Sequence, residues 1–299
     1  MSVARLADRH VSPLAALGVA VLAVSTSAIL VRWSQAPSAV KALYRVVFMT
    51  GLVAPVAVTR DRADLRRIGR RDLLVALAAG AALAVHFAAW FESLEFTTVA
   101  ASVTLVQTQP LFVAAGAALF LREKVTRLTV VGILVAVVGV GIMSAGEAST
   151  GGASDPLLGN SLAVAGAVAA AGYVLAGRSL RQRISLFPYV TVVYAACSVV
   201  LLGIVLAQGH ALLAYPPREY LLFLAMAVGP GLFGHTVVNW ALEHLESSLV
   251  SVSLLGEPVG SSLLALWLLA EVPGPWAVVG GAVVLGGIYA VARAREAES

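Results

Sequence analysis

Apolar residues along this chain come in long, nearly unbroken stretches, not at the spaced positions of a half-buried helix or strand. A helix rises 1.5 Å per residue, so about 20 apolar residues in succession carry it across the hydrocarbon of a bilayer. Runs of that kind occupy residues 13–32, 38–58, 72–94, 98–120, 127–145, 156–177, 187–207, 219–241, 247–269 and 275–292. The pattern predicts an all-α integral membrane protein with ten transmembrane helices. The first run follows Arg5 and Arg9 as the core of a signal peptide would. It has no clear small-residue cleavage site and nine further runs come after it, so it is expected to be retained.

Basic residues sit mainly on one side of these runs. Arg5, Arg9, Arg60, Arg62, Arg66, Arg67, Arg70, Arg71, Arg122, Lys124, Arg127, Arg178, Arg181, Arg183, Arg293 and Arg295 fall together, against Arg32 and Arg218 on the other side. That other side carries Glu95, Glu147, Asp155 and Glu219. Lys and Arg are enriched in cytoplasmic loops, so both termini are expected in the cytoplasm, as an even number of spans requires.

The second half of the chain repeats the first. Offset by 148 residues, SLEFTTVAASVTLVQTQP (residues 93–110) falls without a gap on ALEHLESSLVSVSLLGEP (residues 241–258). Glu95 meets Glu243, Pro110 meets Pro258, Glu123 meets Glu271, and Gly132 and Gly139 meet Gly280 and Gly287. Alanine and leucine align easily by chance; a helix-breaking proline, a loop glutamate and spaced glycines in one register do not. Pro13 with Pro156 and Pro37 with Pro188 extend the match more loosely. The expected organisation is a five-helix repeat over 1–145, a Gly/Ser-rich linker over 146–155, and a second repeat over 156–299. With an odd number of spans in each half, the two repeats are inverted in the membrane, the plan of many secondary transporters.

Composition agrees and narrows the function classes. Of the 299 residues 60% are hydrophobic and 12% charged, with a mean hydropathy of +0.91, where soluble domains are about half apolar and a quarter charged. The net charge of +4 forms no basic face, which argues against nucleic acid. The single cysteine, Cys197, excludes an intrachain disulfide, and no Cys/His cluster has metal-ligand spacing. No cofactor or metal is expected. HExxH, GxSxG and paired-Asp motifs are absent, so an embedded enzyme is a distant alternative. Without a nucleotide-binding loop, transport must draw on a gradient.

Two segments resemble the closing signature of an EamA domain: FLREKVTRLTVVGILVAVVGVGIM and LLAEVPGPWAVVGGAVVLGGIYAV, each a helix-ending Glu followed by a Gly-spaced helix. QTQP and LGEP resemble its Pro-containing helix, and LYRVVF its Arg-bearing second helix. Two such domains are similar to the drug/metabolite transporter superfamily, and the region His86–Trp90 with the overall layout resembles the YddG-type aromatic amino-acid exporters. The resemblance implies secondary transport of amino acids or similar small metabolites by alternating access across a bacterial-type inner membrane. Drugs or other metabolites are the alternative cargo. One chain holds enough helices for a complete pathway, so a monomer suffices, with the lipid bilayer as its solvent.

Polar groups within a span must pair, line water or meet cargo. His86 and Trp90 stand one turn apart on the third span, and His235 and Asn239 on the eighth. Gln107 and Gln109 precede Pro110, Glu257 precedes Pro258, and Gly229-Pro230-Gly231 interrupts the eighth span. Proline removes a backbone donor and frees a carbonyl one turn earlier, so these breaks either border a binding site or are plain kinks. The candidate substrate-binding residues are His86, Trp90, Gln107, Gln109, Tyr173, His235 and Asn239. Glu257 and His86 are candidates for proton coupling; Glu257 can equally be a buried partner for Arg45. Trp90 and Tyr173 can form an aromatic wall or belong to an interfacial belt. Lys41 and Arg45, one turn apart on the second span, are candidates to capture a carboxylate; snorkelling to an interface suits Lys41 better, while Arg45 is deep enough to need an acidic partner. Ser25, Thr26 and Ser27 either meet cargo or bond their own helix. Glu123 and Glu271 are expected to cap the helix that follows each, and Gly132, Gly139, Gly141, Gly280, Gly281, Gly286 and Gly287 to permit close helix packing.

Overall fold

The structure, a computed structural model, describes residues 12–121, 126–150, 154–181, 183–244, 253–254 and 256–296. Helices follow the apolar runs. They are α1 (Pro13–Ser25), α2 (Ser27–Trp33), α3 (Ser38–Arg60), a short α4 (Arg62–Arg66), α5 (Arg70–Phe96), α6 (Val99–Val106), α7 (Gln109–Leu121) and α8 (Arg127–Thr150). In the second half come α9 (Pro156–Leu180), α10 (Leu186–Ala207), α11 (Pro217–Met226), a π-helical segment (Ala227–Thr236), α12 (Val237–His244), α13 (Gly256–Leu269) and α14 (Pro275–Glu296). No strand occurs among the described residues. Local chemistry sets several starts. Pro13 and Pro156 occupy first-turn positions where no amide donor is needed, and the Asp155 carboxylate accepts from Leu158 N at 3.1 Å.

Among the described residues, six helical stretches are long and apolar enough to cross a membrane: Pro13–Trp33, Ser38–Arg60, Arg70–Phe96, Pro156–Leu180, Leu186–Ala207 and Pro217–Ala241. Val99–Val113, Arg127–Ile142 and Pro275–Ala290 are apolar but shorter. The opening of the expected span 247–269 lies mostly outside the described residues.

Among the described residues, three of the expected spans are interrupted, each for a chemical reason. Between α1 and α2 the Thr26 hydroxyl donates to Ala23 O at 2.7 Å and the Ser25 hydroxyl to Val21 O at 2.8 Å, diverting carbonyls from the helical ladder. Between α6 and α7 the chain turns at Gln107 and Thr108, just ahead of Pro110, which has no N–H to continue the ladder. Around Pro230 the helix widens to π geometry, which accommodates the missing donor without ending the helix. α8 continues through Gly146 to Thr150, into the stretch expected as linker.

The bundle packs α5 against α9 and α10, α3 against α10, α8 against α14, and α1 against the π segment and α12. Backbones come closest at glycines. A Cβ on Gly139 would stand 2.8 Å from Gly280 O, and one on Gly287 2.5 Å from Gly132 O, so the α8–α14 crossing is lined by glycine from both repeats. Gly141 and Gly286, expected to do the same, face open space. Both lie on the side of their helices turned away from the crossing.

Helix ends gather at two poles. At one, α2 finishes, α3 begins, α5 gives way to α6, α9 and α11 begin, and α13 ends. The Arg32 guanidinium donates to Thr97 O at 2.8 Å there and pairs with Glu271 at 3.5 Å. The opposite pole joins the α3–α5 connection to the α9–α10 connection through Arg183–Asp72 at 3.2 Å and Ser185–Asp64 at 2.9 Å. Thus α2 ends, and α9 begins, at the same pole.

Candidate functional site

The largest fully buried side chain in the structure is an arginine. Arg45 lies in the first half of α3 with no solvent exposure, ringed by α2, α5 and the second repeat. Its Nη1 donates to Ser27 Oγ at 2.8 Å. The guanidinium carbon stands 4.5 Å from the Phe87 ring centroid and 5.6 Å from that of Phe91, both on α5, close enough for cation–π attraction. Nε and Nη2 have no hydrogen-bond partner. Glu257, His86, His235, Tyr194 and Cys197 all lie within electrostatic reach of this cation.

Around it the two repeats meet through polar contacts. His86 Nδ1 lies 3.0 Å from Gly166 O on α9; a carbonyl can only accept, so Nδ1 carries the proton and Nε2 is left as an acceptor. The imidazole lies nearly parallel to the Trp90 ring, with centroids 5.8 Å apart, and Phe87 meets His235 edge to face at 5.8 Å. Asn239 Nδ2 donates to the Tyr173 hydroxyl at 3.1 Å and to His235 O at 2.8 Å. Gln107, at the break before α7, donates through Nε2 to the Glu257 carboxylate at the start of α13. The cluster therefore combines one buried cation, one buried carboxyl, two imidazoles and a wall of aromatic rings.

Comparison with known proteins shows what such a bundle is for. The profile of the EamA-like transporter family matches residues 12–145 and again residues 157–293. The chain belongs to the EamA-like transporter family. An "uncharacterized transporter" of Archaeoglobus fulgidus is 33% identical over 198 residues, spanning 64% of this chain and 67% of the relative. A crystal structure of a protein 21% identical superimposes with a TM-score of 0.65, over 96% of this chain and 99% of the other, a likeness of fold. The protein is a multi-pass membrane transporter.

Most of the residues singled out in the transporter's sequence converge on the cluster. His86, Trp90, Gln107, Tyr173, His235, Asn239 and Glu257 all contribute. Gln109, the first residue of α7, is half-buried and stands outside these contacts. Trp90 belongs to no interfacial belt: it is 2% exposed, and its indole N–H has no partner. Phe87, Phe91 and Tyr194 were not among the expected site residues. The first two were legible as aromatic neighbours of His86 and Trp90 on the same helix; Tyr194 carried no local signal. Among the described residues, no group of three or more His, Cys, Asp and Glu side chains could hold a metal ion.

Several expected partnerships change. The Arg45 hydrogen bond goes to Ser27, and the Glu257 carboxylate is held by Gln107; no Arg45–Glu257 ion pair within 4.0 Å joins them. Lys41 does not snorkel: buried at 2% exposure, its ammonium donates to Glu95 at 2.8 Å. Glu271 accepts from Val99 N at 2.6 Å, so it caps α6 and not the helix that follows it. The start of α6 is simply nearer in space, on the same pole. Its repeat mate Glu123 lies outside the described residues. At this pole Glu219 also accepts from Ser34 Oγ at 2.5 Å and Gln35 N at 3.1 Å, and Thr97 bonds Asn160 at 2.9 Å. Together with Lys41–Glu95 and Arg32–Glu271 these contacts link the helix ends at that pole.

Proposed function

We propose that this transporter is a gradient-driven secondary carrier that exports amino acids, aromatic or large neutral, or similar small metabolites by alternating access. The observation that carries the reading is the buried cluster where the repeats meet, polar at His86, Gln107, Asn239 and Glu257 and walled by Phe87, Trp90, Phe91 and Tyr173. Hydrogen-bonding groups beside an aromatic wall suit a molecule with a polar end and an apolar ring. The resemblance of the His86–Trp90 region to YddG-type exporters favours the same cargo; drugs or other metabolites are the second reading within the family.

The architecture behind this is ten spans in two inverted repeats, with termini in the cytoplasm of an inner membrane. The offset of 148 residues supports it, as do the glycines exchanged between α8 and α14 and the pole where α2 ends and α9 begins. Domain limits near 1–145 and 156–299 follow from the same repeat. The polar pole from Lys41–Glu95 to Glu219 is then the extracytoplasmic gate, closed in this conformation. Glu257 and His86 are the groups that would take up a coupling proton, and one chain forms the whole pathway.

Counterflow in proteoliposomes tests the cargo. Labelled phenylalanine should exchange against excess phenylalanine and other aromatic or large neutral amino acids, and less so in His86→Ala. No exchange in vesicles shown to contain folded protein would end the amino-acid reading and turn the search to other metabolites and drugs.

A further inference from the structure

The unused half of the Arg45 guanidinium has a shape. Nη1 is committed to Ser27, and one face of the guanidinium lies against Phe87. What remains free is Nε and Nη2. These two N–H groups point the same way, along the side-on edge of the planar guanidinium, and together form the fork that a carboxylate fills with its two oxygens. We infer that Arg45 is the carboxylate-binding residue of the transport site, taking the acid group of the cargo side-on through Nε and Nη2. This rests on the transporter reading of the site but is independent of which side chain the cargo carries.

Three observations point the same way. A buried donor without a partner is costly, and a buried charge more so, so a purely structural role would call for an apolar residue or a paired arginine. Glu257, the acid within electrostatic reach of Arg45 among the described residues, is held by Gln107 and forms no ion pair with it. Lys41, one turn away on α3, is already paired with Glu95, so it does not compete for an incoming anion. The Ser27 bond and the two rings hold the fork in place before cargo arrives, which spares the ordering of a long side chain on binding.

The test varies only the end groups of one molecule. In proteoliposomes of the full chain, labelled phenylalanine counterflow is competed with phenylalanine, 3-phenylpropionate, phenylalaninamide and phenethylamine. The two acids should compete at comparable concentrations, and the amide and amine at about tenfold higher or more. Arg45→Lys keeps the charge and loses the fork, and should raise KM by about tenfold while collapsing the acid-to-amide preference. Equal competition by acid and amide, or an unchanged preference in Arg45→Lys, overturns the assignment. If the variant does not fold, the acid-to-amide ratio in the wild type alone decides. If phenylalanine is not exchanged at all, the amino-acid reading fails and thermal shift decides this one. Phenylpropionate, lactate and nicotinate are then each compared with their amides on the purified wild type. Acids that raise Tm above their amides uphold the carboxylate site; no acid doing so sinks it.

Discussion

Gln107 hands a hydrogen bond to Glu257 from one repeat to the other, each residue standing just ahead of a helix-breaking proline, Pro110 or Pro258. The two prolines are equivalent positions of the repeat, so this bond joins corresponding stretches of the two halves. A proton on Glu257 would alter this bond between the halves.

Glu257→Gln should therefore separate exchange from energisation. The amide keeps the size of the side chain and can still bond Gln107, but it cannot carry a proton. Counterflow of cargo is expected to persist, while accumulation driven by an imposed pH gradient should fall to the level set by a neutral carrier. Measuring both in the same vesicles checks it; unchanged accumulation removes Glu257 from the coupling role.

The polar pole should behave as a latch. Glu219 is buried and accepts from both Ser34 and Gln35, so Glu219→Ala leaves the buried Ser34 hydroxyl without its partner, at a cost of about 1–3 kcal/mol to the closed form. Arg32→Ala removes a partly exposed pair with Glu271, a smaller loss of about 0.5–1 kcal/mol. Opening at this pole should rise accordingly, more for Glu219→Ala than for Arg32→Ala. Ser102 lies one turn into α6 from this pole and is fully buried, so labelling of a cysteine introduced there, in a Cys197→Ser background, by a membrane-impermeant maleimide would report the order.

The glycines of α8 and α14 offer a stability contrast within one helix. Replacing glycine by alanine in a helix interior normally gains roughly 0.5–1 kcal/mol. Gly141→Ala meets nothing within 4 Å and should follow that rule, with Tm unchanged or raised. Gly139→Ala puts a methyl 2.7 Å from Val284 N and should lower Tm, as should Gly287→Ala, 2.6 Å from Ala136 N. Thermal unfolding of the three purified variants in one detergent makes the comparison.

Tyr173→Phe tests the contact between α9 and α12. It removes the hydroxyl that accepts from Asn239 and leaves the ring in the aromatic wall. Asn239 keeps its bond to His235 O, so folding should be nearly unaffected and KM for cargo should rise about two- to tenfold. Asn239→Ala, which loses both bonds, should have the larger effect in the same assay.

Much of this protein is written along the chain. Runs of apolar residues need no partner to declare themselves, because a backbone in hydrocarbon must satisfy its hydrogen bonds within its own helix. The helices, the repeat of Pro110 in Pro258 and of Gly139 in Gly287, and the transporter family follow from that local pattern. So does the candidacy of His86, Trp90, Tyr173 and Asn239, since an ionisable or polar residue inside a span must pair, line water or meet cargo. Which groups touch is another matter. Whether Glu257 meets Arg45 or Gln107, whether Lys41 snorkels or bonds Glu95, and whether Gly141 packs or faces outward depend on how helices far apart in sequence rotate and cross. Those rotations are set by packing of whole faces, and no short stretch of sequence encodes them. Arg45 shows the division most clearly: its depth was legible from its position in a span, but the two unfilled donors that give it a function exist only once Ser27, Phe87 and Phe91 have closed around the rest of the guanidinium.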